Sequence, residues 1–143
     1  MLKTIRKASE KDVDRIMKFL QEAKVSTADV DSQLHPFLLL ESDNGEVLAT
    51  LGIHMQEGKG LLRSLVISPC VEQYEVVALF REAFKFAVEE RLEKIYLYTK
   101  LNSAVDFFHL LGFQKVDVDD SPSFVKSYKQ FSEAILMEKS FSV

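Results

Sequence analysis

The stretch from Leu61 to Phe86, LLRSLVISPCVEQYEVVALFREAFKF, restricts the fold more than any other part of the chain. It reads as a buried strand, a short turn opened by Pro69, and a long amphipathic helix. Val76, Leu79, Phe80, Ala83, Phe84, Ala87 and Val88 recur at the i, i+3, i+4 spacing that gives a helix one buried face. The run KIYLYT, Lys94 to Thr99, then supplies another strand. Strand, helix and strand in this order predict a right-handed crossover with the two strands parallel.

Upstream, Leu2 to Arg6 alternates as a first strand. Ser9, three residues ahead of Asp12, marks a helix start in a carboxylate version of the capping box. Val13, Ile16, Met17 and Leu20 give that helix its buried face. Val25 to Gln33 is polar and predicts a second short helix or a loop. FLLLES, the turn Asp43-Asn44-Gly45, EVLATLGIHMQ, the turn Glu57-Gly58-Lys59-Gly60 and GLLRSLVIS follow. Three strands joined by tight turns form an antiparallel meander. Downstream, Asn102 to Leu111 predicts an amphipathic helix stopped by Gly112. Phe113 to Val118 predicts a strand, Ser121-Pro122 opens a helical segment running to Gln130, and Ala134 to Lys139 closes as a strand. There is no internal repeat or linker. The expectation is one α/β domain over residues 1–143, with a mixed, mostly antiparallel sheet flanked by helices.

A chain of 143 residues can bury one substantial core. Its formal charge of −4 gives no reason to expect nucleic acid or an anionic membrane as partner. No apolar run has the length of a membrane span, and the start, MLKTIRKASEKD, lacks the apolar core of a signal peptide. The expected location is the cytoplasm. One cysteine, Cys70, allows neither an internal disulfide nor a cysteine-rich metal site. Asp117, Asp119 and Asp120 lack the ligand register of a calcium loop and read as a solvated turn, so no metal is expected.

This order of elements, with LLRSLVISP ahead of the helix and NSAVDFFHLLGF near the end, resembles the GNAT superfamily of acetyl-CoA-dependent N-acetyltransferases over nearly the whole chain. More narrowly it is similar to the small acetyltransferases associated with arsenic resistance, related to the acetyltransferase domain of N-acetylglutamate synthase. Thr27-Ala28-Asp29-Val30-Asp31, Leu61 to Leu65, Phe107-Phe108, Leu111-Gly112-Phe113, Pro122, Ser127, Gln130-Phe131 and Met137-Glu138-Lys139 carry that likeness. The tail departs from that group by lacking its Cys-Pro stretch. The resemblance implies the acyl-CoA N-acyltransferase fold, acetyl-CoA as cofactor, and a small-molecule amine, an amino acid among the candidates, as acceptor. Domains of this kind often pair through strand edges or C-terminal segments, so it also allows a homodimer.

In such enzymes the backbone matching Leu65, Val66 and Ile67 pairs with the pantetheine arm as if with another strand. Amides at the following helix N-terminus, here Glu72, Gln73, Tyr74, Glu75, Val76 and Val77, hold the pyrophosphate. Asn102 and Phe108 are the further cofactor contacts the resemblance implies. The family writes that turn as Gln/Arg-x-x-Gly-x-Gly/Ala, because backbone must approach phosphate closely. Aligned on Pro69, this chain has Glu72 at the amide or basic position and Glu75 and Val77 at the two glycine positions. Like charges about 4 Å apart cost on the order of 4 kcal/mol at an effective dielectric near 20, so acetyl-CoA binding is expected to be weak or absent. Either the carboxylates swing outward and the amides still bind CoA, or they complement the helix dipole themselves and the cofactor site is lost.

Transfer needs a base for the ammonium proton and an acid for the leaving thiolate. The resemblance implies tyrosine as the acid, but the pair here is Phe107-Phe108. His54, on the strand face shared by Thr50 and Gly52, is the candidate base; the alternative is a half-exposed strand histidine. Arg63 either holds an acceptor carboxylate bidentately or pairs with Glu46 or Glu57. Ser64 is expected to point the opposite way along the pleat. Cys70 reads as a small buried residue, with a reactive thiol near the cofactor entrance as the alternative; Tyr96 and Tyr98 read as sheet packing, His109 as solvated and His35 as a loop residue. Two functions stay open: an acetyltransferase, or a noncatalytic GNAT-fold module binding a metabolite or a protein.

Overall fold

A computed structural model describes residues 3–24, 36–100, 102–128 and 134–141, with the side chains of Asn102 and Ser103 outside that description. The strands are β1 (Lys3–Lys7), β2 (Phe37–Ser42), β3 (Val47–Gln56), β4 (Lys59–Ile67), β5 (Lys94–Thr99), β6 (Gln114–Val116) and β7 (Ile135–Ser140). The helices are α1 (Val13–Glu22), α2 (Gln73–Glu89), α3 (Asn102–Leu110) and α4 (Ser123–Lys126). Among the described residues these make a mixed seven-stranded sheet in the hydrogen-bonded order β1-β2-β3-β4-β5-β7-β6. Its ladders are antiparallel for β1–β2, β2–β3, β5–β7 and β6–β7, and parallel for β4–β5. The expected fold class is the one observed. The tracts expected at Val25–Gln33, including Thr27 to Asp31, and at His35 and Gln130-Phe131 lie outside the described residues.

Contacts divide the chain into two compact units interleaved in sequence: Met1–His54 with Leu62–Phe86, and Met55–Leu61 with Ala87–Val143. In the first unit β2 pairs antiparallel with both β1 and β3, shifting register between Leu40 and Glu41. Ile16 and Leu20 of α1 bury against Phe37 and Leu39 of β2, with Val13, Met17 and Val66 packed around them. The helix start at Ser9 is as expected in chemistry: the Ser9 N–H donates to Asp12 Oδ2 at 2.8 Å. A 3-10 turn, Glu10–Asp12, intervenes before α1 begins.

Asp12 does more than cap. It is 3% exposed, and Arg6 Nη1 and Nη2 donate to its two oxygens at 2.9 and 2.8 Å. Arg15 reaches the same carboxylate, and Arg6 Nε donates to Glu41 at 2.7 Å. The fork of Arg6, followed by the Ser9 N–H and Arg15, holds the Asp12 carboxyl far below the usual carboxylate range. This cluster ties β1, the turn into α1 and β2 together.

In the second unit the parallel ladder of β4 with β5 covers Lys59–Leu61 against Lys94–Tyr96. Leu61, Tyr96, Val125 and Leu136 form a core with Tyr98 and Val116 around it. Tyr98 Oη donates to the Val125 carbonyl at 2.7 Å, fixing the short α4. Three boundaries differ from expectation. The Phe113–Val118 strand is only β6, because Asp117 accepts the Asp119 N–H at 3.0 Å and starts a 3-10 turn. The segment opened by Pro122 is helical only over Ser123–Lys126. Val88 is 59% exposed, and Phe86 is buried instead. The buried stripe of α2 thus runs 79, 80, 83, 86, 87. Gly112 follows α3 at φ +100°, the left-handed conformation a helix-ending glycine supplies.

Candidate functional site

The N-terminus of α2 is capped in part by the chain itself. Glu72 precedes the first helical residue, Gln73, and its carbonyl accepts from the N–H groups of Glu75 and Val76 at 2.9 and 3.2 Å. The Glu75 side chain folds back, and its Oε1 accepts the Glu72 N–H at 2.9 Å, the reciprocal half of a capping box. The same oxygen takes a proton donor from Lys3 Nζ of β1 at 2.9 Å. Glu75 is only 7% exposed. The cap N–H and then Lys3 hold its carboxyl below the usual range against the opposing effect of burial, and the bond to Glu75 raises the Lys3 ammonium.

Of the two arrangements the sequence leaves open, Glu75 takes the one in which the carboxylate serves the helix end itself, whereas Glu72 is exposed. The physical reason is competition for one amide. The helix end needs an acceptor, and a glutamate at the third helical position reaches it without a ligand. Gln73 and Tyr74 are exposed, and Val76 and Val77 are half-buried. A Val77 side chain stands where a glycine would leave room.

β4 is irregular ahead of this turn. Ser64 has φ +54°, a left-handed conformation in the middle of a strand. The Arg63 carbonyl lies 3.3 Å from where a Gly52 Cβ would stand, and the Ser68 N–H donates to the Leu48 carbonyl at 2.8 Å. From Leu48 to Gly52 is four steps along β3, but from Arg63 to Ser68 is five along β4. One extra residue is therefore accommodated in β4, as in a β-bulge. The simple pleat expected at Arg63 and Ser64 is broken there. Thr50, 0% exposed, donates its hydroxyl to the Ser64 carbonyl at 2.9 Å. Gly52 eases close packing, since a Cβ there would crowd the Phe37 ring at 3.0 Å. Beyond the irregularity come Leu65, Val66 and Ile67, with Val66 packed on the Ile16–Phe37 cluster and Ile67 exposed.

His54 and Arg63 are half-buried on β3 and β4 of the same unit, and both make contacts of their own. Cys70 is exposed rather than buried, carried outward by the turn at Pro69, with its Sγ 3.5 Å from Ser68 Oγ. It borders a cleft of about 350 Å³ with Lys3, Leu48, Tyr74 and Glu75. Phe108 belongs to the second unit. It is 7% exposed and meets Phe107 and Phe113 edge-on, at 5.4 and 5.8 Å between centroids. Asn102 opens α3 there. His54, Arg63, Leu65–Ile67 and Glu72–Val77 all fall in the first unit. His109 is exposed, and its Nδ1 lies 3.0 Å from the Phe113 carbonyl.

No protein-family profile matches the chain. It is 33% identical over 145 residues to the uncharacterised protein YwlB of Bacillus subtilis strain 168, covering 97% of this chain and 98% of that protein. A GNAT-family acetyltransferase of Staphylococcus aureus Mu50 superposes with a TM-score of 0.78 at 15% identity, over 99% of this chain and 100% of the other. The chain belongs to the family of YwlB, and its fold is the GNAT fold. N-acetylglutamate synthase of Neisseria gonorrhoeae, solved with coenzyme A and N-acetyl-glutamate, matches with a TM-score of 0.75 at 17% identity. All of this chain is covered, but only 36% of the synthase.

Within the GNAT fold, what sequence reading missed is mostly the partners of residues it had noticed. Glu75 was visible, but Lys3, 72 residues away, was not. Thr50 and Gly52 stand out in the sequence only as neighbours of His54 on one strand face, and Ser64 only by its place opposite Arg63 in the pleat. No helix among the described residues is long and apolar enough to cross a membrane.

Proposed function

We propose that the protein is a GNAT-type N-acetyltransferase that moves the acetyl group of acetyl-CoA to the amine of a small molecule, while gripping the cofactor's pyrophosphate weakly. The observation that carries this reading is the extra residue in β4 at Ser64, which breaks the regular pleat just ahead of Leu65–Ile67. Backbone groups beyond such a break can pair with the amides of a pantetheine arm. His54 would take the ammonium proton, the amine nitrogen would then bond to the thioester carbonyl carbon, and the C–S bond would break to release thiolate. The second proton on the nitrogen would leave to solvent as the amide forms, and, with Phe108 in place of a hydroxyl, solvent would protonate the thiolate. Arg63 would hold the acceptor. An amino acid suits a guanidinium anchor, and the Neisseria synthase, solved with N-acetyl-glutamate, supports that class.

The inward fold of Glu75 favours a second reading, a noncatalytic module that binds a metabolite or protein. Calorimetric titration with acetyl-CoA and CoA, alongside thiol release with a panel of amino acids, separates the two. The expected result is weak but measurable binding by the wild type, with tighter binding by Glu72→Arg/Glu75→Gly. Binding confined to the double variant, with no thiol release by the wild type, would establish the noncatalytic module instead.

A further inference from the structure

We infer that Thr50 is a positioning residue: its buried hydroxyl holds the Ser64 peptide in the left-handed conformation and so sets the course of Leu65–Ile67. The inference rests on the acetyl-CoA reading above. Left-handed backbone is unfavourable for any residue with a Cβ, and serine has one. A strand with no such demand relaxes into the pleat, restoring the alternation of its side chains. Three features of the first unit oppose relaxation here. The Thr50 hydroxyl donates to the Ser64 carbonyl at 2.9 Å. Gly52 lets the Arg63 carbonyl approach β3 where any Cβ would crowd both it and Phe37. The Ser68 N–H is fixed to the Leu48 carbonyl at 2.8 Å, so the extra residue has to be absorbed between Arg63 and Ser68.

Only the first of these is a side-chain bond that a near-isosteric change can remove. Valine has the shape of threonine without its donor. Thr50→Val therefore leaves the part-buried Ser64 carbonyl short of its partner, and the left-handed conformation loses its support. Thr50→Ser keeps the donor. Ser64→Gly removes the steric penalty, so the kink no longer needs Thr50. Rescue through glycine is what separates positioning from packing, since a packing defect at Thr50 is not repaired by deleting the Ser64 side chain.

The test compares wild type, Thr50→Val, Thr50→Ser and Thr50→Val/Ser64→Gly by two readouts. The first is the intraresidue amide–Hα NOE of Ser64 in isotope-labelled protein, strong when φ is positive. The second is the Kd for acetyl-CoA by calorimetry. Thr50→Val is expected to lose the NOE and weaken binding about five- to tenfold, the loss of one ordinary hydrogen bond. Thr50→Ser is expected to recover both, and the double variant, whose glycine carries two α-protons and is read by Kd alone, to recover binding. An unchanged NOE and Kd in Thr50→Val overturns the inference. So does weakened binding that neither serine nor the glycine variant repairs. If the wild type binds no acetyl-CoA, the acetyltransfer reading fails and the positioning role falls with it. The NOE then still records whether the hydroxyl alone holds Ser64.

Discussion

Replacing Glu75 separates the two jobs its carboxylate performs. In the wild type one oxygen accepts both the Glu72 N–H and Lys3 Nζ, each at 2.9 Å. Glu75→Gln keeps an acceptor for the amide but removes the charge that pairs with Lys3. Glu75→Ala removes both. A lost cap costs about 1 kcal/mol, and with a urea m-value of about 2 kcal/mol/M the midpoint of Glu75→Ala should fall by about 0.5 M. Glu75→Gln should fall less. Anion affinity should move the other way, because alanine vacates a helix N-terminal amide and releases a nearby ammonium. Helix-end anion binding contributes about 0.3–1 kcal/mol when exposed and up to about 2 kcal/mol when partly buried. Inorganic pyrophosphate and CoA should therefore bind Glu75→Ala between about twofold and thirtyfold more tightly than wild type. The gain should shrink with added salt. Unchanged stability together with unchanged affinity for both ligands would refute the self-capping account of α2.

Asp12→Ala should destabilise by about 3 kcal/mol, the low end for breaking a buried ion pair, because Arg6 and Arg15 are about a third exposed and can rehydrate; urea denaturation measures this. Asp12, Glu41 and Glu75 all have carboxyl pKa values lowered in the folded state. Their stabilisation is therefore complete above the unfolded carboxylate range near pH 4 and is lost as pH falls below it. The urea midpoint should drop on acidification, and Asp12→Asn should flatten that slope. Burial, and then the charge of Glu138, push Tyr96 up to about 12. The folded chain thus disfavours its phenolate, and stability should decline as pH rises above the ordinary tyrosine value near 10. Phenolate absorbance of Tyr96→Phe should lack one late-titrating step.

Elements whose evidence is local were legible in the sequence. The strand–turn–helix at Leu61–Phe86 and the strand KIYLYT announce themselves through apolar spacing, and Gly112 through its place after a helix. What was not legible depends on contacts between distant residues. Val88 continues the apolar stripe of α2 on paper, yet the buried face at that end is set by Phe86 and Ala87. Cys70 has a buried residue's chemistry but sits in a turn that carries it outward. For Glu75, sequence reading identified the carboxylate and left two orientations open; Lys3 on β1 decides between them, and no local pattern points to it. Ser64 gives no signal at all, because its conformation follows from the number of residues between Gly52's approach and Ser68's bond.

The two ends of the proposed cofactor track thus carry opposite physical signs. At β4 the chain sustains a left-handed serine, costing about 1–2 kcal/mol, and offsets it with a part-buried hydrogen bond of about 1 kcal/mol. At α2 it fills the anion seat with its own carboxylate. An enzyme built this way draws its hold on acetyl-CoA from the pantetheine arm and little from the diphosphate. Acetyl-pantetheine, which has the arm and no nucleotide, should therefore match acetyl-CoA in kcat/KM within about threefold, since the Glu72 amide and the Lys3 ammonium are already bonded to Glu75. A seat that grips the diphosphate through amides and charge-assisted bonds is expected to contribute several kcal/mol, hence a loss of about a hundredfold or more on truncation. A penalty of that size in the wild type would mean that Glu75 yields its amide to the cofactor, and that the inward carboxylate is only the resting arrangement. Glu75→Ala discriminates further. If the seat is filled, acetyl-CoA should gain on acetyl-pantetheine in that variant, while the shorter thioester is unaffected.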